Sequence, residues 1–298
     1  MNGQPKKYAI YTAMVGGYDK IMQPMVVDNR YDYILFSNDI KEDRVGVWQV
    51  KKIFYNNEIQ TKIARYVKTH PDELLPEYEF TVWVDSNIII SSNFLYERAL
   101  QLYQNKVSIA TMNHLERNCI YDEAFVLLEG LIEYESIILD WGRVLRKTKY
   151  PSNNGLFETN VLFRVNNEVN IHINMLWWSY IEKYSKRDQL SFNYVLWLLQ
   201  EKCDYILPID RNTNNSIDFV RVSHKNDINR GVDYKGNIPW LLRYVYKLPN
   251  HKNEIKKIYY HIYKMPFPYF FAFLFGQYFR FKYLVNNYQR FYIKKSNL

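Results

Sequence analysis

The sequence predicts an α/β domain, and three observations carry that expectation. Short β-rich apolar runs alternate with segments of helical period. The runs are apolar enough to be buried on both faces of a sheet. The composition then changes sharply near Pro249, where a helical basic-aromatic tail begins. In chain order, Tyr8–Ala13 and residues 33–37, 80–85, 107–111 and 159–164 read as strands. Helical patterns run over residues 58–69, 121–134, 169–184 and 188–201, and in the last of these Leu190, Tyr194, Trp197 and Leu198 share one face. The Asn-rich stretch 210–218 reads as a loop, and no internal repeat is present.

The 298 residues are 48% hydrophobic and 23% charged with two cysteines, enough apolar material for one large domain or two small ones. Disordered, collagen-like and disulfide-scaffold classes are excluded. The net charge of +8 is not spread evenly: from His251 to Leu298 nine Lys or Arg face Glu254 alone, leaving 30 of each sign in residues 1–250. A nucleic-acid binder carries basic residues across its folded domain, so no nucleic-acid partner is expected. The same 48 residues hold sixteen Phe or Tyr, and the uncharged run 265–279 falls short of the roughly 20 residues of a spanning helix. Basic residues interleaved with aromatics suit a segment at the headgroup boundary of an anionic membrane; a helical hairpin with solvated charges is the plain alternative. Residues 1–249 are therefore expected as the domain and 250–298 as a tail on the inner membrane surface. A polar N-terminus without an apolar leader, and Cys119 and Cys203 without a CxxC partner, give a cytoplasmic, peripheral expectation.

No GxGxxG follows the first strand and no GxxxxGK[ST] occurs, so the phosphate cradles of dinucleotide-binding and P-loop domains are missing. HExxH, GxSxG and His/Cys clusters are absent too. The segment Phe80-Thr-Val-Trp-Val-Asp85-Ser-Asn87 says more. An acid closing a buried strand, with a second oxygen-bearing side chain two residues on, places both at the carboxyl end of a sheet, where open α/β sheets bind ligands. A hard cation there would bridge protein oxygens and a diphosphate. An ordinary Asx-turn uses the same residues without chemistry.

Seven segments in order carry a resemblance. They are Tyr11-Thr-Ala-Met-Val-Gly-Gly-Tyr18-Asp19, Phe36-Ser-Asn-Asp39, Lys62-Ile-Ala-Arg65-Tyr-Val-Lys68-Thr-His70-Pro71, Trp83-Val-Asp85-Ser-Asn87, Asn113-His114-Leu-Glu-Arg117-Asn-Cys119-Ile-Tyr121-Asp-Glu123-Ala, Asn154-Gly155-Leu-Phe-Glu158-Thr-Asn160 and Arg187-Asp188-Gln189-Leu-Ser-Phe192. Over about residues 8–225 the chain resembles a glycosyltransferase-like domain first catalogued as a domain of unknown function, found in bacterial polysaccharide loci and in plant proteins linked to pectin and mucilage. The resemblance implies a GT-A-like, Rossmann-like mixed sheet flanked by helices and a nucleotide-sugar donor, a UDP-sugar being favoured. Asp85-Ser-Asn87 then resembles a DxD motif with Asn in the last place.

The resemblance also implies roles. Thr12 and the Gly16-Gly17 turn would border base and ribose. Asp39 would accept from a nucleobase N–H, or is a strand-end turn residue. Arg65 and Lys68, one helical turn apart, would face the diphosphate, or form a solvated face. Asp85, Asn87 and His224 would hold Mn²⁺ or Mg²⁺, although Asn87 is a weaker ligand than Asp and leaves metal-free catalysis open; a lone His is otherwise structural. Asp188 is the leading catalytic candidate with Gln189 beside the anomeric carbon, against an N-cap role for Asp188. Glu158 is the runner-up. His114 and Arg117 would bind donor sugar or an acidic acceptor, or form a capping network. The expected activity is transfer of a sugar, most simply a hexose, to a surface polysaccharide or lipid-linked glycan. An inactive scaffold, suggested by Asn87, and a sugar nucleotidyltransferase are the competing readings.

Overall fold

The structure is a computed structural model that describes residues 7–17, 21–129 and 132–223. The sheet starts with two β-branched and aromatic runs, β1 (Tyr8–Ala13) and β2 (Tyr31–Phe36), which pair in parallel. A short excursion follows, β3 (Arg44–Val45) antiparallel to β4 (Trp48–Lys51), with β4 parallel to β2. Helix α1 (Gln60–Thr69) ends at His70, and Pro71 then opens the single turn α2 (Pro71–Leu74), a position where its missing N–H costs nothing. β5 (Phe80–Val84), buried along its whole length, pairs in parallel with β1.

Beyond the Asp85-Ser86-Asn87 turn come β6 (Ile88–Ile90), α3 (Phe94–Gln104), β7 (Ile109–Asn113), α4 (Ile120–Glu129) and α5 (Glu135–Lys147). Then β8 (Phe157–Val165) runs antiparallel to both β5 and β7, with Val84 opposite Val161. Helices α6 (Glu168–Lys183) and α7 (Gln189–Leu199) follow, then β9 (Asp204–Tyr205), parallel to β7, and β10 (Phe219–Arg221), antiparallel to β6. The result is an eight-stranded mixed sheet in the order β3-β4-β2-β1-β5-β8-β7-β9, with β6 and β10 as a separate ribbon.

Alternate residues of the central strands feed two cores. Ile10, Leu35, Phe80 and Val82 pack with Leu95, Tyr96, Ala99 and Leu102 of α3. Ala9, Tyr11, Ile34, Trp83 and Leu162 pack on the other face with Ile63 and Val67 of α1, Ile173 and Trp177 of α6, and Phe192 and Val195 of α7. This period-two division is what burying a sheet between two helical layers requires. The fold class is therefore the expected one, a mixed sheet flanked by helices.

Several boundaries differ from the sequence expectation. The pattern over 121–134 breaks into α4 and α5, and α3, β4, β6, β9 and β10 were not anticipated. The second strand ends at Phe36, so Asp39 stands three residues beyond it rather than at its end. Leu198, expected on the buried face of α7, is exposed, while Leu190 and Tyr194 are buried. The chain divides into two compact units. The first comprises Met1–Ile138 and Pro151–Asp233; the second takes in Leu139–Tyr150, the C-terminal part of α5 and its following turn, and residues that are not described. The expected 249/250 boundary and the tail 250–298 lie outside the described residues. Among the described residues no helix is long and apolar enough to cross a membrane.

Candidate active site

Parallel β1 and β5 end side by side, and the antiparallel β8 begins at the same end of the sheet. Side chains that leave these strand ends converge on a cleft of about 470 Å³. It is lined by Met14 and Val15 after β1, by Asp85, Ser86 and Asn87 after β5, by Arg65 and Lys68 of α1, and by Glu158, Thr159 and Asn160 at the start of β8. His114, Arg117, Asp188, Gln189 and Arg221 complete it. A larger depression of about 720 Å³ beside Trp197 and Lys202 contains none of the expected site residues.

The floor of the cleft is a quartet of charges. Lys68 is 1% exposed, and its Nζ lies 2.5 Å from Asp188 Oδ2 and 3.7 Å from Asp85 Oδ1. Arg65 Nε is 3.2 Å from Asp188 Oδ1, an ion pair by distance rather than an aligned hydrogen bond, and its Nη1 is 4.0 Å from Asp85 Oδ1. Thr159 Oγ1 donates to Asp188 Oδ2 at 2.8 Å and accepts from Lys68 Nζ at 3.0 Å. Trp83 Nε1 donates to Asp85 Oδ1 at 2.6 Å. Arg65 and Lys68 are thus not a solvated helix face.

These contacts set the protonation of the floor. Burial pushes the Asp188 carboxyl up, but Arg65, Lys68 and the Thr159 hydroxyl outweigh it and hold the group well below the usual carboxylate range. Burial pushes the Lys68 ammonium down against the pull of Asp188 and Asp85. Asp188 occupies the N-cap position of α7 yet makes no side-chain capping bond. Its carboxylate is turned from the helix end to Lys68, so the capping alternative is not what the side chain does.

Glu158 has the opposite character. Burial raises its pKa, while Arg221 and the amides of Asn160 and Asn212 pull it down. Asn160 Nδ2 donates to its Oε2 at 3.1 Å and Asn212 Nδ2 to its Oε1 at 3.0 Å. Asn212 lies in the stretch read only as a loop; that stretch packs Asn212 and Thr213 against the site, with Thr213 Oγ1 accepting from Asn160 at 2.8 Å. Sequence reasoning missed Asn212, Thr213 and Arg221, whose partners lie 54, 53 and 7 residues away. An Asn-rich run marks a turn by composition, and nothing local says which carboxylate it will meet.

The remaining expected residues are distributed unevenly. Asn87 donates Nδ2 to the Val222 carbonyl at 3.0 Å, and its own main-chain oxygen accepts from Val222 N–H at 2.8 Å. Arg117 Nε binds Glu123 Oε2 at 2.7 Å and its Nη1 binds Glu116 at 3.0 Å, while its main-chain N–H donates to His114 Nδ1 at 3.1 Å. Burial and the Arg117 charge push the His114 pKa down. Gln189 Nε2 reaches the Phe157 carbonyl at 3.3 Å. Thr12 is buried on β1 with Oγ1 unpartnered among the described residues, and it does not line the cleft. Asp39 accepts from Gly17 N–H at 2.9 Å, pinning a turn in which Gly16 and Gly17 have φ of 77° and 58°. It too lies off the cleft lining. His224 lies outside the described residues. Among the described residues no group of three or more His, Cys, Asp or Glu is arranged to hold a metal.

A search of curated proteins finds no match to this sequence. Among solved structures the chain is similar to the apo structure of WbbM, a bifunctional glycosyltransferase, at 9% identity and a TM-score of 0.41. That similarity covers 72% of this chain and 40% of the other, so the chain spans well under half of that protein. Residues 6–224, most of the chain and all of the described cleft, match the family described as TOD1/MUCI70, glycosyltransferase-like domain. The protein belongs to that family of glycosyltransferase-like domains.

Proposed function

We propose that the cleft transfers a sugar, a hexose in the simplest case, from a nucleotide-sugar donor to a glycan or lipid-linked acceptor of a growing surface polysaccharide. A UDP-sugar is the favoured donor. The observation that carries this reading is the convergence of Arg65, Lys68, Asp85, Glu158 and Asp188 on one cleft at the carboxyl ends of β1 and β5. That is where an open α/β sheet binds a nucleotide. The family assignment supports the reaction class.

The two buried carboxylates suit different tasks. Asp188, held ionised by Lys68 and Arg65, is a poor proton acceptor and suits a fixed negative charge facing an oxocarbenium-like centre. Glu158, with its pKa raised by burial, is better matched to accepting the proton of the acceptor hydroxyl near neutral pH. Lys68 and Thr159 fix the Asp188 carboxylate, and Asn160 and Asn212 fix that of Glu158. Such fixed dipoles cost no reorganisation during reaction.

For a divalent cation, Asp85 offers a cleft-lining carboxylate. Asn87 has its amide nitrogen committed to Val222, so its oxygen is the atom left to serve as ligand, and His224 follows Val222 by two residues. Those three residues would hold the ion, which supplies Lewis-acid stabilisation of a departing diphosphate. Placement at the inner membrane surface by the tail would bring the enzyme to lipid-linked acceptors.

The test is nucleotide release from UDP-, GDP-, CMP- and TDP-sugars, with Mn²⁺ or with EDTA, for wild type, Asp85→Ala and Asp188→Ala. Release from one donor that both substitutions abolish is the expected result. Silence across the panel, with no thermal shift from any nucleotide, would favour the inactive scaffold.

A further inference from the structure

Arg65 and Lys68 are the obvious partners for a donor diphosphate, but their charge is already consumed. Both face Asp188 within 3.2 Å and Asp85 within 4.0 Å, two cations against two carboxylates. Lys68 is fully buried, and separating a buried ammonium from its carboxylate is costly. A diphosphate bearing two or more negative charges needs cations that protein carboxylates have not neutralised.

Two residues that line the same cleft make no ion pair with a carboxylate among the described residues, although the charge of Arg221 is felt by Glu158. Lys186, in the turn ahead of α7, has no hydrogen-bond or ion-pair partner among the described residues. Arg221, the last residue of β10, donates from Nη1 to the neutral Asn214 Oδ1 at 3.1 Å. Arg117 is not a third, since Glu116 and Glu123 both hold it. The position of Arg221 is fixed by the ribbon: it pairs with Ile88, and Val222 bonds Asn87 through main chain and side chain. An arginine is thereby held beside the Asp85-Ser86-Asn87 turn, at the same end of the sheet as the charge quartet.

We propose that Arg221 and Lys186 form an anion-binding edge of the cleft that takes the diphosphate of the nucleotide donor, while Arg65 and Lys68 stay bound to Asp85 and Asp188. This rests on the nucleotide-sugar reading and deepens it. The planar guanidinium of Arg221 matches two phosphate oxygens at once, and Lys186 adds a point charge. As the bond to the sugar breaks, its electron pair passes to the diphosphate oxygen, and these two cations balance the charge that develops there.

The experiment is calorimetric binding of inorganic pyrophosphate, UDP, UMP and uridine, each with Mn²⁺ and with EDTA, to wild type, Arg221→Gln, Arg221→Lys, Lys186→Gln and the double Gln variant. Thermal unfolding serves as the folding control. Each Gln substitution is expected to weaken UDP and pyrophosphate roughly tenfold, the size of one charge-assisted hydrogen bond, and to leave uridine unchanged. Arg221→Lys recovers part of the loss. UDP and pyrophosphate binding as tightly to the double variant as to wild type would overturn the anion edge and leave the nucleotide-sugar reading standing. Pyrophosphate binding that depends on Arg221, with no preference for any nucleotide, would support the edge and overturn the donor. Wild type that binds neither UDP nor pyrophosphate, with Mn²⁺ or with EDTA, overturns both.

Discussion

Lys68 and Asp188 show how the side chains of the cleft constrain one another. A fully buried ammonium persists because Asp188, Asp85 and Thr159 surround it, and removing one partner leaves an uncompensated charge. Asp188→Asn should therefore cost roughly 3–5 kcal/mol in denaturant unfolding at neutral pH, as well as abolishing nucleotide release. The sign of its pH dependence follows from the depressed pKa. Stability from a carboxylate held below its unfolded value is present above the unfolded pKa, roughly 3.9, and is lost as pH falls through the folded one. The gap between wild type and variant should thus hold from neutral pH to about pH 4 and close only below it; a gap that closed near pH 6 would contradict the pairing. Glu158 runs the other way, its proton held more tightly in the folded state because the site is buried. The acid limb of kcat/KM should lie above the ordinary carboxylate range and move higher in Asn212→Ala, which removes the donor to Oε1. An acid limb unmoved by that change would remove Glu158 from the proton-accepting role.

The elements explain why Asn stands where a DxD-like pattern ends in Asp. Asn87 ties the turn after β5 to the chain leaving β10 by donating to the Val222 carbonyl, a bond that a carboxylate cannot make. Asn87→Asp would set an anion against that carbonyl and should destabilise the protein by about 1–3 kcal/mol, measured by urea unfolding. A neutral or stabilising result would show that the amide is not what holds the ribbon. The sequence made the long elements legible: β1 was expected at Tyr8–Ala13 and found there, and α1, α6 and α7 lie within two residues of their expected ends. Their signal is periodicity over ten or more residues or a continuous apolar run. Strands of two or three residues, such as β9 and β10, have no period to read, and pairing partners define them. Helix α5 did carry a signal, Ile138, Trp141 and Leu145 at helical spacing, obscured by the continuous pattern assumed through residue 134. Of the site, Asp85 was legible at the end of a buried strand, whereas Arg65, Lys68, Asp188 and Glu158 were singled out by the resemblance of their segments to the glycosyltransferase-like family. Which of them pair, and that Asn212 joins them, depends on contacts 29 to 120 residues apart in sequence that no local pattern encodes.

At the scale of the molecule, one sheet supplies both rigidity and access. β1 and β5 lie between β2 and β8, are covered on both faces, and open onto the cleft only at their carboxyl ends. The β6–β10 ribbon stands apart from that sheet with three ladder pairs, and a two-stranded ribbon has little stability of its own. Amide exchange should consequently be graded: β1, β5 and β8 exchange last, through global unfolding, whereas β3, β4, β6 and β10 exchange earlier through local opening. Ligand should change this pattern selectively. If the ribbon carries Arg221 to a bound diphosphate, a saturating nucleoside diphosphate slows exchange at Ile88–Ile90 and Phe219–Arg221, because opening the ribbon then requires releasing the anion. The amides of β1 and β5 slow only by the increment that binding adds to global stability, about 2.7 kcal/mol at a hundredfold excess over Kd. Mass-resolved hydrogen exchange with and without UDP separates the two cases. Protection confined to α1 and the start of α7, with the ribbon unchanged, would place the anion at Arg65 and Lys68 instead and would mean that the charge quartet opens on binding.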